Sequence, residues 1–534
     1  MSMSDSGSVR KIFQKVSSSP TRPPAEKKLS RFDVADVYEG PAATEGAASG
    51  ESGLDEKLRQ AYFWIVNHAI ISPFYDIEYN DEPPTTFQIG DRKTTLSLPT
   101  AQSYSSFVLM PLLNLAVRRR CLFVGGPGRG KTASAILMGV LAGYSLTEIR
   151  RAIQHGQPEM TVTDLLGNPI PSDLMNASSM DEVRISWRKW LGMRVKIIDE
   201  YNRIPTRTQS ALLTVLADNY AEVLDQIYEC PEAAWYLTAN DDAGGGTYKV
   251  IEALQDRIDI VVHALHFNTR FIGDLLLRIE AGISPEKMVP ESIIFSEEEL
   301  NQMNQEILAV TIPPELMRRV EFFASHFEFF ESAGEQLEYK TKDNVKLAGM
   351  ELSQLMLEET GRDLVKDLGS QTKNGLSVRA IMTCLVFAKA IAYFRGESSV
   401  SFEDFRQMLP FVLHDKLAQN PDSPFFEGGN HSIYRVDRVG WIRRLFDLSS
   451  AEFDRLGLDK EDPVASLRAK FDQGLDGLSE KETRVRLSEI ERTLQEITKS
   501  RKVYGHVFDD LLKLKYLHQR YTNYLNWLLW TNKA

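Results

Sequence analysis

From about residue 58 to residue 282, short apolar runs alternate with longer stretches of helical period. CLFV (121–124), VKII (195–198), WYLT (235–238) and IDIVVHAL (258–265) set apolar residues on both faces of an extended chain, as buried strands do. Helical stretches separate them, among them 132–142 and 208–216. That alternation predicts an α/β fold, a parallel sheet covered by helices on both sides.

Beyond about Gly282 the strand signals stop. Residues 297–330 and 378–394 read as helices with charged outer positions, and a highly charged stretch, 335–346, lies between them. A last segment begins near Ser432, in which Leu487, Ile490, Leu494 and Ile497 recur at helical spacing, followed by Tyr504, Phe508 and Leu511. The phase slips at Leu514, Leu517, Tyr521 and Leu525, and Gly505 sits inside, so a helical hairpin is predicted and not one long coiled coil. The aromatic stripe YLNWLLW (524–530) reads first as helix packing and second as a partner-binding surface. Residues 1–55, rich in Ser, Pro, Ala, Gly and Glu and basic in their first half, read as a disordered tail. The expected plan is that tail, an α/β core with its lead-in (56–282), a helical lid with a charged insertion (283–431) and a C-terminal helical region (432–534).

Composition narrows the function classes. A chain of 534 residues exceeds one compact core, and 43% hydrophobic with 25% charged residues is the balance of a soluble globular protein. The formal net charge of −12 argues against a protein devoted to coating nucleic acid, while leaving room for a local basic groove. Cys121 and Cys384 lie in apolar runs and read as small buried hydrophobes; Cys230 belongs to no motif. The best apolar run, 107–117, contains Pro111 and Asn114 and falls short of the roughly 20 residues a membrane-spanning helix needs. With no apolar signal segment at the start, a cytoplasmic location is expected.

GGPGRGKT (125–132) carries the first decisive chemistry, fitting GxxxxGK[ST] between an apolar strand and an apolar helix. Gly125, Gly126, Pro127, Gly128, Arg129, Gly130, Lys131, Thr132 and Ala133 form the expected phosphate-binding set. Glycines let backbone N–H groups converge on a polyphosphate, and the helix start adds its positive dipole end. Lys131 is expected on the β- and γ-phosphates of ATP and the Thr132 hydroxyl on Mg²⁺. Asp199 and Glu200 end VKII. If that strand neighbours the one entering the loop, Asp199 holds the metal through water and Glu200 orients and polarises the attacking water.

GGPGRGKT, IIDEYNR, YLTAN and LQDRID, in that order, resemble the AAA+ ATPases, and specifically the MoxR family. Asp199-Glu200-Tyr201-Asn202-Arg203 stands where that family carries a DEINR-like motif, and TQSALL (208–213) matches its TQxALL. The resemblance spans roughly residues 100–420 and implies a P-loop AAA+ core with a helical lid. It implies Asn240 as the sensor-1 residue, Arg257 as an arginine finger acting on a neighbouring subunit, and Arg379, in a GxSxRA-like context, as sensor 2. Asn202 and Arg203 fit the motif and are expected to face the neighbouring subunit. A finger supplies on the order of 10³–10⁵ in rate in nucleotide hydrolases. The segment 159–173 stands where this clade carries an insert in its second helix, expected at the pore or upper face of a ring. Departures from the family pattern are Arg129 in the loop, Tyr201 in place of an aliphatic residue, and the long charged insertion.

Other features read structurally. His263 and His266, at i and i+3 on a strand, fall on opposite faces, which argues against a shared metal. Arg118, Arg119 and Arg120 read as a solvated helix end, and Trp187 and Trp190 as core or subunit packing. No Ser/His/Asp or Cys/His order suggests covalent chemistry on a target. The expectation is therefore an ATP-hydrolysing ring, hexameric by family likeness, that remodels or matures a protein partner. Metal insertion and a partner bearing a von Willebrand factor A domain are implied by the resemblance alone. The alternatives are a nucleic-acid-associated AAA+ motor subunit, which the acidic balance opposes, and a nucleotide switch with little turnover, which the full catalytic set opposes.

Overall fold

The computed structural model describes residues 53–90, 95–176, 182–240, 252–282, 284–327, 349, 368–429, 431–460, 462–499 and 506–531. The tail expected over 1–55 lies outside the described residues up to 52, as do the charged stretch 335–346, Tyr504 and Gly505. The first described helix, α1 (Leu54–Trp64), begins inside the range expected for the tail and buries Leu58, Tyr62 and Trp64. The apolar run with Pro111 is α2 (Ser106–Val117), in which every residue except Phe107 is buried.

The α/β core follows as β1 (Arg120–Val124), α3 (Lys131–Leu141), β2 (Gln154–His155), β3 (Gly167–Pro169), β4 (Ile185–Trp187), β5 (Val195–Asp199), α4 (Thr206–Asp218), β6 (Ala234–Ala239), α5 (Glu252–Arg257) and β7 (Ile260–His263). Five strands form a parallel sheet in the order β7-β1-β6-β5-β2. Successive side chains point to opposite faces. Cys121, Phe123, Ile197 and Tyr236 thus join the core containing α2, while Leu122, Ile198, Trp235 and Leu237 join the one containing α4. Two cores explain why these strands are apolar on both faces.

The order answers the condition on which the placing of Asp199 depended. The strands β1 and β5 are not neighbours, because β6 lies between them, Leu237 pairing with Leu122 on one side and Ile198 on the other. The segment 159–173 folds partly into β3, which pairs antiparallel with β4.

After the sheet, the helix expected over 297–330 is two helices, α6 (Glu297–Ala309) and α7 (Pro314–Ser325), with 328–330 outside the described residues. The cause is local: Pro313 disfavours helical backbone at Ile312, and Pro314 suits the first position of a new helix. Next come α8 (Val378–Phe394), α9 (Phe402–Leu413) and α10 (Arg438–Arg455). Trp441, Ile442, Leu445 and Phe446 of α10 belong to the same hydrophobic cluster as α8 and α9.

A smaller cluster holds α11 (Pro463–Asp472), α12 (Glu480–Thr498) and α13 (His506–Thr531) together through Val464, Leu467, Ile490, Leu514, Leu517 and Tyr521. This is the hairpin that the phase slip predicts. In its aromatic stripe Leu525 is buried, whereas Trp527 and Trp530 are exposed. Arg318 of α7 docks the cluster, pairing with Asp462 and with Asp510 at 2.8 Å. Among the described residues no helix is long and apolar enough to cross a membrane.

Candidate active site

The loop after β1 is built by glycines that other residues replace poorly. Gly128 and Gly130 have φ of 73° and 80°, and a Cβ at either would face open space. At Gly125, φ 151°, a Cβ would lie 2.7 Å from the Ala264 carbonyl oxygen, so the loop presses directly on the chain leaving β7. Lys131 opens α3 and is buried, its Nζ donating to the carbonyls of Gly125 and Gly126 (2.8 Å) and to Asn240 Oδ1 at 2.9 Å. The Arg129 guanidinium donates to Ala264 O at 3.0 Å and meets His266 Nε2 at 2.9 Å. Its side chain braces the loop from behind, which accounts for the extra cation there.

Although β6 separates their strands, Thr132 and Asp199 meet: Thr132 Oγ1 donates to Asp199 Oδ1 at 2.7 Å. The helix α3 packs across both β6 and β5, so its first turn reaches the end of β5. Thr238, on the intervening strand, completes the junction. Its hydroxyl donates to Asp199 Oδ1 at 2.7 Å and accepts from Glu200 N at 2.9 Å. His155 Nδ1 lies 3.3 Å from Asp199 Oδ2.

Glu200 has φ 53°, a left-handed conformation that costs a non-glycine residue of order 1 kcal/mol or more. The turn packs on Gly156, whose N–H donates to Asp199 O at 2.7 Å and where a Cβ would lie 2.2 Å from Glu200 O. The Glu200 carboxylate is held at both oxygens, accepting from Asn240 Nδ2 at 2.9 Å and facing Arg203 Nε at 3.1 Å. Arg203, expected to face a neighbour, therefore lies on its own Glu200. Tyr201, the other departure, is buried, and burial raises its hydroxyl pKa.

Arg257 and Arg379 are not brought to the loop. Arg257 ends α5 and donates to Ala253 O at 2.9 Å; its buried Nε has no hydrogen-bond partner among the described residues. Arg379, at the start of α8, pairs with Asp256. Residues 241–251, which carry part of the family likeness, lie outside the described residues.

Four site residues are absent from the sequence-derived set. Thr238 stands two positions before Asn240 and so shares its strand face, and Arg203 follows Glu200 by three; both signals were available for a bond to Glu200. Nothing local marks His155 or Gly156. The remaining candidates are structural. His263 Nε2 meets His414 Nε2 at 3.1 Å, and His266 serves Arg129. Arg118 and Arg120 are not a solvated helix end: Arg118 bonds Asn301 and Arg120 pairs with buried Asp259. Trp190 is buried edge-on to Trp235. A cavity of about 650 Å³ lies apart from the loop, and its Arg395, Arg406 and Arg443 are each already hydrogen-bonded within the fold.

Family models agree with this geometry. Residues 120–260 match the family described as ATPase family associated with various cellular activities (AAA), and residues 369–432 match the AAA lid domain. The chain is 24% identical over 316 residues to Chaperone MoxR1 of Mycobacterium tuberculosis, covering 58% of this chain and 71% of that one. A solved structure described as a "putative ATPase" from Cytophaga hutchinsonii superposes with a TM-score of 0.42 at 17% identity, over 63% of this chain and 89% of that one. Over these two segments the chain matches an AAA ATPase domain and its lid, and over 316 residues it is similar to a MoxR-type chaperone.

Proposed function

We propose that the chain binds ATP in the 125–133 loop, hydrolyses it with Glu200 as base, and uses the cycle in a homo-oligomeric ring to remodel a protein partner. The observation that carries this is the 2.7 Å contact between Thr132 and Asp199, with Asn240 joining Lys131 to Glu200 beside it. The donor set fits the reactants: a hydroxyl and a carboxylate are the hard oxygen ligands Mg²⁺ takes, and the open glycine cradle suits a polyphosphate. Thr132 and Asp199 would hold Mg²⁺, which when bound neutralises charge on the phosphate oxygens.

This chain's own groups divide the remaining work. Lys131 gives its Nζ donors to the phosphates in place of the Gly125 and Gly126 carbonyls. Asn240 positions the nucleophilic water, and Glu200 accepts its proton once its carboxylate turns from Arg203. Arg257 completes a neighbour's site and Arg379 reports the nucleotide to the lid, so a lone subunit is incomplete. A ring, hexameric by family likeness, follows from that division of labour. Chaperone-like maturation agrees with the name of the MoxR1 relative; metal insertion, a von Willebrand factor A partner and a cytoplasmic location extend the same likeness.

The test is phosphate release by the purified full chain with ATP and Mg²⁺, against Glu200→Gln. The variant is expected to keep ATP binding and to lose about 100-fold or more in turnover. Wild-type turnover in Glu200→Gln removes Glu200 as the base.

A further inference from the structure

The beginning of α8 grips the segment carrying Arg257 at both ends. Arg379 Nη1 pairs with Asp256 Oδ2, and Ser377 Oγ lies 3.5 Å from Asp256 Oδ1. One turn further on, Thr383 Oγ1 donates to Asp259 Oδ1 at 2.9 Å. The two ends differ in kind. Asp259 is 1% exposed and also accepts from the backbone N–H of Arg120 at 3.1 Å, which anchors it to the first residue of β1. The Asp256–Arg379 pair is open to solvent, with side chains 38% and 47% exposed. Solvent-exposed pairs of this kind add little net stability and can exchange partners. Arg257 thus sits between a fixed end and a releasable one, on a helix of six residues that is too short to hold its own position.

We propose that Asp256 is a positioning residue that couples the lid of one subunit to the finger it offers its neighbour. Arg379 cannot give the same donors to Asp256 and to a γ-phosphate. When it turns to the nucleotide, Asp256 is released, and α5 pivots on Asp259 carrying Arg257 with it. ATP in one site then sets how the finger is presented to the next, giving turnover a cooperative dependence on ATP around the ring. This rests on the assignments of Arg257 and Arg379 made above.

The experiment compares wild type, Asp256→Asn and Asp256→Glu as full chains, measuring ATPase rate against ATP concentration, ring size by sedimentation, and Tm. Asp256→Asn is expected to leave ring size, Tm and KM unchanged within about twofold while kcat falls about tenfold and the Hill coefficient approaches 1. Asp256→Glu, which keeps the charge, is expected to recover most of both. Wild-type kcat and cooperativity in Asp256→Asn overturn the proposal. So does equal loss in both variants with a lowered Tm, which marks a merely structural role. Glu200→Gln is run alongside: if it turns over like wild type, the hydrolysis reading has failed and takes the coupling with it, whereas a dead Glu200→Gln beside an unaffected Asp256→Asn condemns the coupling alone.

Discussion

Asn240 Nδ2 donates to Glu200 Oε1 at 2.9 Å, while the oxygen of the same amide accepts from Lys131 Nζ at 2.9 Å. One short side chain therefore joins the Lys131 ammonium to the Glu200 carboxylate, the two groups proposed to bind phosphate and to activate water. Only an amide serves both, because one end must accept and the other donate. Asn240→Ala should lower kcat by about 10²-fold while changing ATP affinity far less, the size seen when one preorganised donor is lost. Asn240→Asp should be no better, since it sets a second carboxylate against Glu200. Nucleotide titration beside steady-state turnover checks the split; unchanged kcat in Asn240→Ala would remove the residue from catalysis.

Lys131 is buried with its Nζ on the loop's own carbonyls, so its charge is already gathered where phosphates are expected. Lys131→Ala should weaken ATP binding by about 100-fold or more, a loss of roughly 3 kcal/mol in a charge-assisted contact. Tight ATP binding retained by the variant would refute the phosphate-loop assignment.

Arg257, proposed to serve another subunit, donates to Ala253 O within its own helix α5. Arg257→Ala alone and Glu200→Gln alone should each be nearly inactive. Mixed rings should recover activity at junctions where an intact Glu200 meets an intact Arg257. Absence of recovery in rings shown to be mixed counts against action across the interface.

Gly156 backs the left-handed turn at Glu200 so closely that a Cβ would fall 2.2 Å from Glu200 O. Backbone, and not a flexible side chain, must then give way. Gly156→Ala should cost about 1–3 kcal/mol of stability and displace Glu200, lowering turnover with ATP binding kept. Calorimetry and turnover measured together check this, and a variant with wild-type values of both would show that the turn tolerates the methyl.

His326, at the end of α7, lies one turn from Phe322 at a ring separation of 5.0 Å, and docking of the C-terminal hairpin brings His506 to the same ring at 4.6 Å. Burial pushes both imidazoles down from 6.5 to about 4. Their folded-state pKa values are depressed, so the stability they permit is full above pH 6.5 and lost as pH falls towards 4. Asp510, pushed up to about 6 by burial against the pull of Arg318, acts oppositely and favours the folded chain as pH falls from 6 towards 3.8. Two histidines outweigh one carboxyl, so the net expectation is acid destabilisation. His326→Leu should recover of order 1–2 kcal/mol at about pH 5 relative to about pH 7. Melting curves at the two pH values decide it, an undiminished acid loss in the variant being the adverse result.

Features that depend on neighbouring positions in the chain are legible without a structure. The glycine loop, the strand entering it and the helix leaving it are local consequences of backbone freedom and side-chain period. The same holds for the hairpin of α12 and α13, read from a phase slip. The break between α6 and α7 is equally local, since Pro313 and Pro314 announce it, but the apolar period across 297–330 masks it. A period shows which face is buried and says nothing about continuity.

By itself, then, the sequence determined the α/β core, the glycine loop between its strand and its helix, and the place of the paired carboxylates at a strand end, because these follow from local propensity and spacing. Only the tertiary structure decided that β6 lies between β1 and β5, and hence that Thr238 bridges Asp199 and Glu200. It also decided that Arg129 braces the loop, that Arg203 holds Glu200, and that Arg379 rests on Asp256. Strand order and most of this pairing are set by contacts between segments tens to more than a hundred residues apart. Their free energy depends on which chains the two hydrophobic cores bring together, and no short window of sequence contains both partners.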